Sequence, residues 1–262
     1  YQAALEVFTR TAFPYEWATT QINLGAAYSD RIRGERADNI ESAIGYYQAA
    51  LEVFTRTAFP YEWATTQINL GAAYSDRIRG ERADNIESAI GYYQAALEVF
   101  TRTAFPYEWA TTQINLGAAY SDRIRGERAD NIESAIGYYQ AALEVFTRTA
   151  FPYEWATTQI NLGAAYSDRI RGERADNIES AIGYYQAALE VFTRTAFPYE
   201  WATTQINLGA AYSDRIRGER ADNIESAIGY YQAALEVFTR TAFPYEWATT
   251  QINLGAAYSD RI

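Results

Sequence analysis

The sequence predicts an all-α array of antiparallel helical hairpins. Three observations carry the prediction. A 46-residue unit returns five times without a substitution, with a 32-residue remainder, across 262 residues. Inside the unit, two stretches place apolar residues at helical spacing. Between them lies a short charged segment with one glycine, Arg31 to Asp38, which makes the two helices antiparallel neighbours. A fixed period settles architecture first, because a repeat array grows by adding units and not by enlarging one core.

The chain opens on the tail of an amphipathic helix, Tyr1 to Arg10. The full version, helix B, is expected from about Asn39 to Thr55. At about 100° per residue, Ile40, Ala43, Ile44, Tyr47, Ala50, Leu51 and Phe54 fall on one face. Asp38 followed by Glu41 reads as an N-cap and capping box. Glu52 and Arg56 are spaced as a surface pair on the last turn.

Thr11-Ala-Phe13-Pro14 ends helix B and begins helix A. Pro14 suits a first helical position, and Glu16 suits the positive end of the helix dipole. Helix A is expected to run to about Arg31 or Ile32. Trp17, Ala18, Leu24, Gly25, Tyr28 and Ile32 share one face; Ile22, Ala26 and Tyr15 form an adjacent apolar strip. Two strips fit a helix wedged between its own helix B and the helix A of the next unit. Gly25 fits a close crossing that a Cβ would block, since a helical glycine otherwise costs about 1 kcal/mol against alanine. Gly34 is placed as the C-terminal stop of helix A. The array then divides into a truncated helix B over 1–10, units at 11–56, 57–102, 103–148, 149–194 and 195–240, and a terminal helix A over 241–262, with no domain boundary.

These residues resemble the tetratricopeptide repeat family over the whole chain. Leu24-Gly25-x-x-Tyr28 matches its helix A signature, and Ala43, Tyr47 and Ala50 match its small–large–small pattern in helix B. The unit departs from the family in length, and Trp17 stands one helical turn before the family's tryptophan position, which Gln21 holds. The long unit looks like the variety found in bacterial multidomain signalling proteins. The resemblance implies a right-handed superhelix, an α-solenoid with helix A lining a concave groove that binds peptides or proteins.

Composition narrows the chemistry. Each unit sets Glu6, Glu16, Asp30, Glu35, Asp38 and Glu41 against Arg10, Arg31, Arg33 and Arg36, and the net charge of the chain is −11. Such a surface repels phosphate backbones, so nucleic acid is not an expected partner. There is no Cys, His or Met, which excludes disulfides, thiol redox chemistry and Cys/His metal sites. There is no Lys either, so catalysis lacks its usual nucleophiles and bases, and no enzyme activity, cofactor or metal is expected. The acidic cluster around Asp30, Glu35, Asp38 and Glu41 does not follow the spacing of a helix–loop–helix calcium site, and arginines interleave it. No apolar run approaches the ~18 residues of a membrane span, and no charged-then-apolar leader stands at the start; the default compartment is the cytoplasm.

The remaining face of helix A carries Glu16, Thr19, Thr20, Asn23, Ala27 and Asp30. Asn23 both donates and accepts, as a clamp on a peptide amide requires, and Asp30 is matched to a basic guest. The candidate peptide-binding residues are Thr19, Asn23 and Asp30 with their repeats: Thr65, Asn69 and Asp76; Thr111, Asn115 and Asp122; Thr157, Asn161 and Asp168; Thr203, Asn207 and Asp214. The competing reading is a solvated face, or asparagines that bond one another between helices. Trp17, Tyr28, Tyr47 and Phe54 lie on core stripes and are read as packing.

Two functions follow. The first is a non-catalytic scaffold that binds a protein or peptide through the helix A face. The second is structural: identical units from one template, self-associating head to tail into a continuous superhelix. Tyr1, Leu5 and Phe8 at one end, and Trp247, Leu254, Tyr258 and Ile262 at the other, are halves of one internal interface, and such non-closing contacts favour fibres.

Overall fold

The computed structural model describes residues 1–261, and Ile262, placed above at an exposed end, lies outside the described residues. Among the described residues the fold is all-α. A 3₁₀ turn over Gln2–Glu6 precedes α1 (Pro14–Ser29), α2 (Arg36–Ala50), α3 (Pro60–Ser75), α4 (Arg82–Leu97), α5 (Pro106–Ser121), α6 (Arg128–Leu143), α7 (Pro152–Ser167), α8 (Arg174–Leu189), α9 (Pro198–Ser213), α10 (Arg220–Leu235) and α11 (Pro244–Asp260). Odd-numbered helices are A helices and even-numbered ones B helices. The chain divides within α6 into two compact units, 1–138 and 139–262. Inside each unit the helices pack in consecutive pairs, an α-solenoid of hairpins.

Helix A begins where proline predicts. Pro14 opens α1, and Phe13 before it lies outside the helical region at φ −138° and ψ 66°. The helix ends at Ser29, two residues short of Arg31. The N–H of Asp30 closes it by bonding to the Ala26 carbonyl at 3.0 Å, and the N–H of Arg31 bonds to that of Tyr28 at 3.3 Å. Gly34 is therefore not the helix stop. It lies in the loop at φ +83°, a left-handed turn that glycine adopts without steric cost.

Helix B starts at Arg36, earlier than expected, and the capping box does not form. Glu35 is the N-cap and makes no side-chain cap bond. Asp38 and Glu41 instead reach the following repeat, where they pair with Arg79 and Arg77. The reason is Asn39. Its buried amide donates to the carbonyl of Arg31 at 3.1 Å and to that of Arg33 at 2.9 Å. That clip draws the loop against the helix start and fixes the beginning one turn sooner.

Helix B also ends early, at Ala50 in α2 and Leu97 in α4. Phe54 then turns inward, fully buried beside Ala18 and Ala50 with Trp17 and Phe59 at the edge. The Glu52–Arg56 pair cannot form across this bend. Arg56 reaches Glu98 in the next repeat, and Glu52 receives Arg10 from the repeat before. The 3₁₀ turn at the chain's start, Gln2–Glu6, occupies the repeat positions of helix B's last turn, a place where 3₁₀ geometry is common.

The core corrects the neighbours assigned to helix A. Leu70 and Ala73 of α3 pack on Ile40, Ala43, Ile44 and Tyr47 of the preceding α2. On its other side α3 meets its own α4, where a Cβ on Gly71 would stand 2.5 Å from Cε1 of Tyr93. In the first unit α3 thus sits between two B helices, α2 and α4, and in the second α9 sits between α8 and α10, not between a B helix and the next A helix. Successive A helices still approach one another, α1 to α3 and α3 to α5, and in the second unit α7 to α9 and α9 to α11.

Candidate peptide-binding stripe

The A-helix face that escapes this packing is a narrow arc. At about 100° per residue, Thr65, Asn69, Ala72 and Asp76 of α3 line up within it. Thr65 and Asn69 are half-buried, while Ala72 and Asp76 are exposed. The same pattern holds for Thr19, Asn23 and Asp30 on α1 and for Thr111, Asn115 and Asp122 on α5. In the second unit it holds for Thr157, Asn161 and Asp168, and for Thr203, Asn207 and Asp214.

Two residues assigned to this face belong elsewhere. Thr20 and its repeats turn inward: Thr66 is fully buried, and its hydroxyl donates to the Glu62 carbonyl at 2.7 Å. Ala27 is exposed in α1, but its repeat Ala73 is buried in the core against α2, and Ala72 takes the accessible position. Both shifts follow from the neighbour correction. A helix held between two B helices shows a different edge from one wedged against the next A helix.

The stripe is dimpled. A depression of about 230 Å³ opens between α1 and α3, and one of about 200 Å³ between α3 and α5. A third, of about 220 Å³, lies between α7 and α9 in the second unit. Each is bordered by two aspartates, Asp30 with Asp76, Asp76 with Asp122, and Asp168 with Asp214. An asparagine lines each as well. The Asn69 and Asn115 carboxamides have no hydrogen-bond partner among the described residues, in contrast to the tightly held Asn39 and Asn85.

A buried tyrosine also borders each depression. Burial pushes the Tyr47 phenol up, against the opposing hydrogen bond with Ser29. Tyr93 is pushed up to about 12 by the same desolvation. Both phenols keep their protons at neutral pH and remain able to donate.

The aspartates are partly answered from within. The Arg36 guanidinium bonds to Oδ2 of Asp76 at 3.0 Å and also donates to the Ser29 carbonyl. Arg82 does the same for Asp122 at 2.9 Å, and Arg174 for Asp214 at 3.0 Å. These pairs are about half exposed and are worth at most ~1 kcal/mol each, so an incoming cation competes with them at small cost. Sequence reasoning missed this arginine, because its partner lies one repeat on. Among the described residues no group of acids is arranged to hold a metal ion. None of the helices is long and apolar enough to cross a membrane.

Comparison with known families finds five matches to the Sel1 repeat, over residues 18–52, 64–98, 110–144, 156–190 and 202–236. Each match begins just after the tryptophan of helix A and ends in the bend after helix B, so it covers one hairpin. No curated protein matches the chain. The tetratricopeptide-like reading of Leu24, Gly25 and Tyr28 is thereby narrowed: five hairpins in phase place this chain in the Sel1 repeat family.

Proposed function

We propose that the chain is a non-catalytic scaffold that binds a basic protein segment along the A-helix stripe. The family supports the general role of protein interaction. The observation that carries the finer reading is the unpartnered asparagine amide beside each depression. Among the described residues no side-chain polar atom is both buried and unpaired, so these amides face water, and an entering peptide group, which supplies both a donor and an acceptor, can take that water's place. The paired aspartates and the chain's net charge of −11 favour a cationic guest.

The test is a peptide array of basic, neutral and acidic segments, read against the wild type and the Asn69→Ala/Asn115→Ala/Asn207→Ala variant. Basic segments are expected to bind, and the variant to weaken them by about tenfold or more, at ~0.5–1.5 kcal/mol per lost hydrogen bond. Equal binding by both proteins removes the stripe as the site.

A second reading rests on the two end faces of this 262-residue chain. Gly255 has open space where its repeat Gly209 is packed by Tyr231. Ile252 is 73% exposed, and Tyr1, which occupies the same repeat position as Tyr231, is 64% exposed. Tyr1 of a second copy fits over Gly255, continuing the internal packing head to tail. Leu254 does not belong to this surface: it is buried against Ile224 and Ile228 of α10, since the leucine of helix A faces the preceding B helix. Trp247 is half-buried, as are Leu5 and Phe8, while Tyr258 is exposed. Sedimentation velocity is expected to report concentration-dependent association that Tyr1→Ala or Gly255→Leu abolishes. Unchanged monomer at high concentration in the wild type rules this reading out.

A further inference from the structure

Three ion pairs close each internal junction of the first unit. Where α2 meets α3, Arg77 takes Glu41, Arg79 takes Asp38 and Arg36 takes Asp76. Where α4 meets α5, Arg123, Arg125 and Asp122 hold Glu87, Asp84 and Arg82 in the same way. The same positions on α1 and its loop are Arg31, Arg33 and Asp30. Among the described residues none of these three has an ion-pair partner. The Arg31 guanidinium still lies 5.3 Å over the Tyr28 ring, as Arg77 does over Tyr74. Its pose is the one that grips a carboxylate in the next repeat.

The apolar part of the junction is open on α1 as well. At α3, Leu70 is fully buried and Ala73 is 3% exposed under Ile40, Ala43 and Ile44 of the preceding B helix. On α1, Ala27 stands exposed at the position of Ala73. Leu24, Ala27 and Tyr28 line an open depression of about 480 Å³ together with Tyr1, Gln2 and Ala3. The 3₁₀ turn Gln2–Glu6 takes only the positions of helix B's last turn. No described residue therefore stands over α1 where Ile40 and Ile44 stand over α3.

Polar and apolar features select the same occupant. A depression lined by leucine and alanine alone accepts any apolar side chain. Two guanidiniums and a carboxylate around it set the register and direction of what enters, and α2 on α3 shows which helix satisfies them all. A second copy does not bring such a helix free. Its α2, α4, α8 and α10 are each packed on an A helix at either side, and its last helix, α11, is an A helix.

We infer that the open face of α1 binds an amphipathic helix from a separate molecule, one that carries arginine, aspartate, isoleucine, glutamate, alanine and isoleucine in the spacing of Arg36, Asp38, Ile40, Glu41, Ala43 and Ile44. Its aspartate meets Arg33, its glutamate meets Arg31 and its arginine meets Asp30. Its isoleucines and alanine close over Leu24 and Ala27, the packing of a helix in a groove. This surface lies beyond the scaffold reading above and shares only Asp30 with the stripe.

The probe is a fluorescent peptide of residues 33–46 carrying Gly45→Ala. A Cβ at this position meets nothing within 4 Å in α2, and the change favours a helix that so short a peptide barely forms alone. Anisotropy is measured with the full chain as wild type, as Arg31→Glu/Arg33→Glu and as Asn69→Ala/Asn115→Ala/Asn207→Ala. Thermal melts establish that each variant is folded. Saturable binding is expected to weaken by about tenfold or more in the arginine variant, through like-charge repulsion. It is expected to return when the peptide also carries Asp38→Arg and Glu41→Arg, to stay unchanged in the asparagine variant, and to vanish for a peptide with Ile40→Asp and Ile44→Asp. No binding by the wild type, or binding that ignores the two arginines, overturns the inference. So does self-association of the wild type that Arg31→Glu/Arg33→Glu abolishes while the peptide stays unbound, since the face then belongs to a second copy. The stripe is tested by basic segments and not by this peptide, so the two readings fail separately.

Discussion

Arg77 holds Glu41 of the preceding repeat with two hydrogen bonds, Nε to Oε1 at 2.7 Å and Nη2 to Oε2 at 3.0 Å. The same guanidinium lies 5.3 Å over the Tyr74 ring. Arg123 and Glu87 repeat the arrangement in the first unit, and Arg215 and Glu179 in the second. Both partners are about three-quarters buried, so the pair is less screened than the other ion pairs between repeats.

The hydrogen bonds from Arg77 hold the Glu41 carboxyl below its ordinary range, against the opposing effect of burial. A carboxylate shifted downward stabilises the fold above its unfolded pKa of ~4.3 and loses that contribution as pH falls through the depressed folded value. Melting temperature is therefore expected to drop below about pH 4. Replacing Glu41, Glu87 and Glu179 with glutamine should lower stability at neutral pH by about 1 kcal/mol per junction and flatten the acid limb. Calorimetric scans from neutral to acid pH give both quantities.

Two glycines of the same hairpin should respond in opposite directions to alanine. A Cβ on Gly71 would lie 2.5 Å from the buried Tyr93 ring, while one on Gly91 meets nothing within 4 Å. Gly71→Ala is expected to destabilise by ~1–3 kcal/mol through overpacking, outweighing its gain in helix propensity. Gly91→Ala, on the exposed side of α4, should stabilise by up to ~1 kcal/mol. Urea denaturation midpoints distinguish the two.

Asn85 anchors its loop by donating to the carbonyls of Arg77 at 3.3 Å and Arg79 at 2.9 Å. Asn85→Ala removes both donors from a buried site and is expected to cost ~1–3 kcal/mol. Asn85→Asp keeps the shape but sets a carboxylate against carbonyl oxygens, and should cost at least as much. Hydrogen exchange is expected to accelerate first in the 76–82 segment in either variant.

Tyr93 and Tyr185, each pushed up to about 12 chiefly by burial, should ionise well after the exposed phenols. A group whose pKa is raised by folding stabilises below its unfolded value of ~10 and loses that contribution as pH rises toward the folded value. Phenolate absorbance is expected to rise in two phases, the second coinciding with loss of helical circular dichroism. A single phase with the helix intact would contradict the burial of these rings.

The repeat period and the apolar spacing of Ile40, Ala43, Ile44 and Tyr47 made the hairpins legible from sequence, because burial in a helix imposes that spacing. The stripe residues Thr65, Asn69 and Asp76 were legible for a related reason, as the polar arc left over. The ends of helix B were not. Asp38 and Glu41 have the spacing of a capping box, but their charges are used across a junction between residues far apart in sequence. The same blindness hid Arg36 beside Asp76 and sent Glu52 to the wrong arginine. Assigning Leu70 to the correct neighbour required knowing that helix A lies between two B helices, and one unit's sequence does not contain that information.

The junction between α2 and α3 carries charges of both signs on both faces. Arg36 meets Asp76, while Asp38 and Glu41 meet Arg79 and Arg77. Every repeat so presents the same plug and the same socket, which makes the repeats interchangeable. Exchanging the two ends of one pair, Glu41→Arg together with Arg77→Glu, keeps that joint closed and sets like charges against any unaltered partner. A junction of this kind works as a keyed connector, and a few such exchanges would turn an array of equivalent parts into one with a fixed order of assembly.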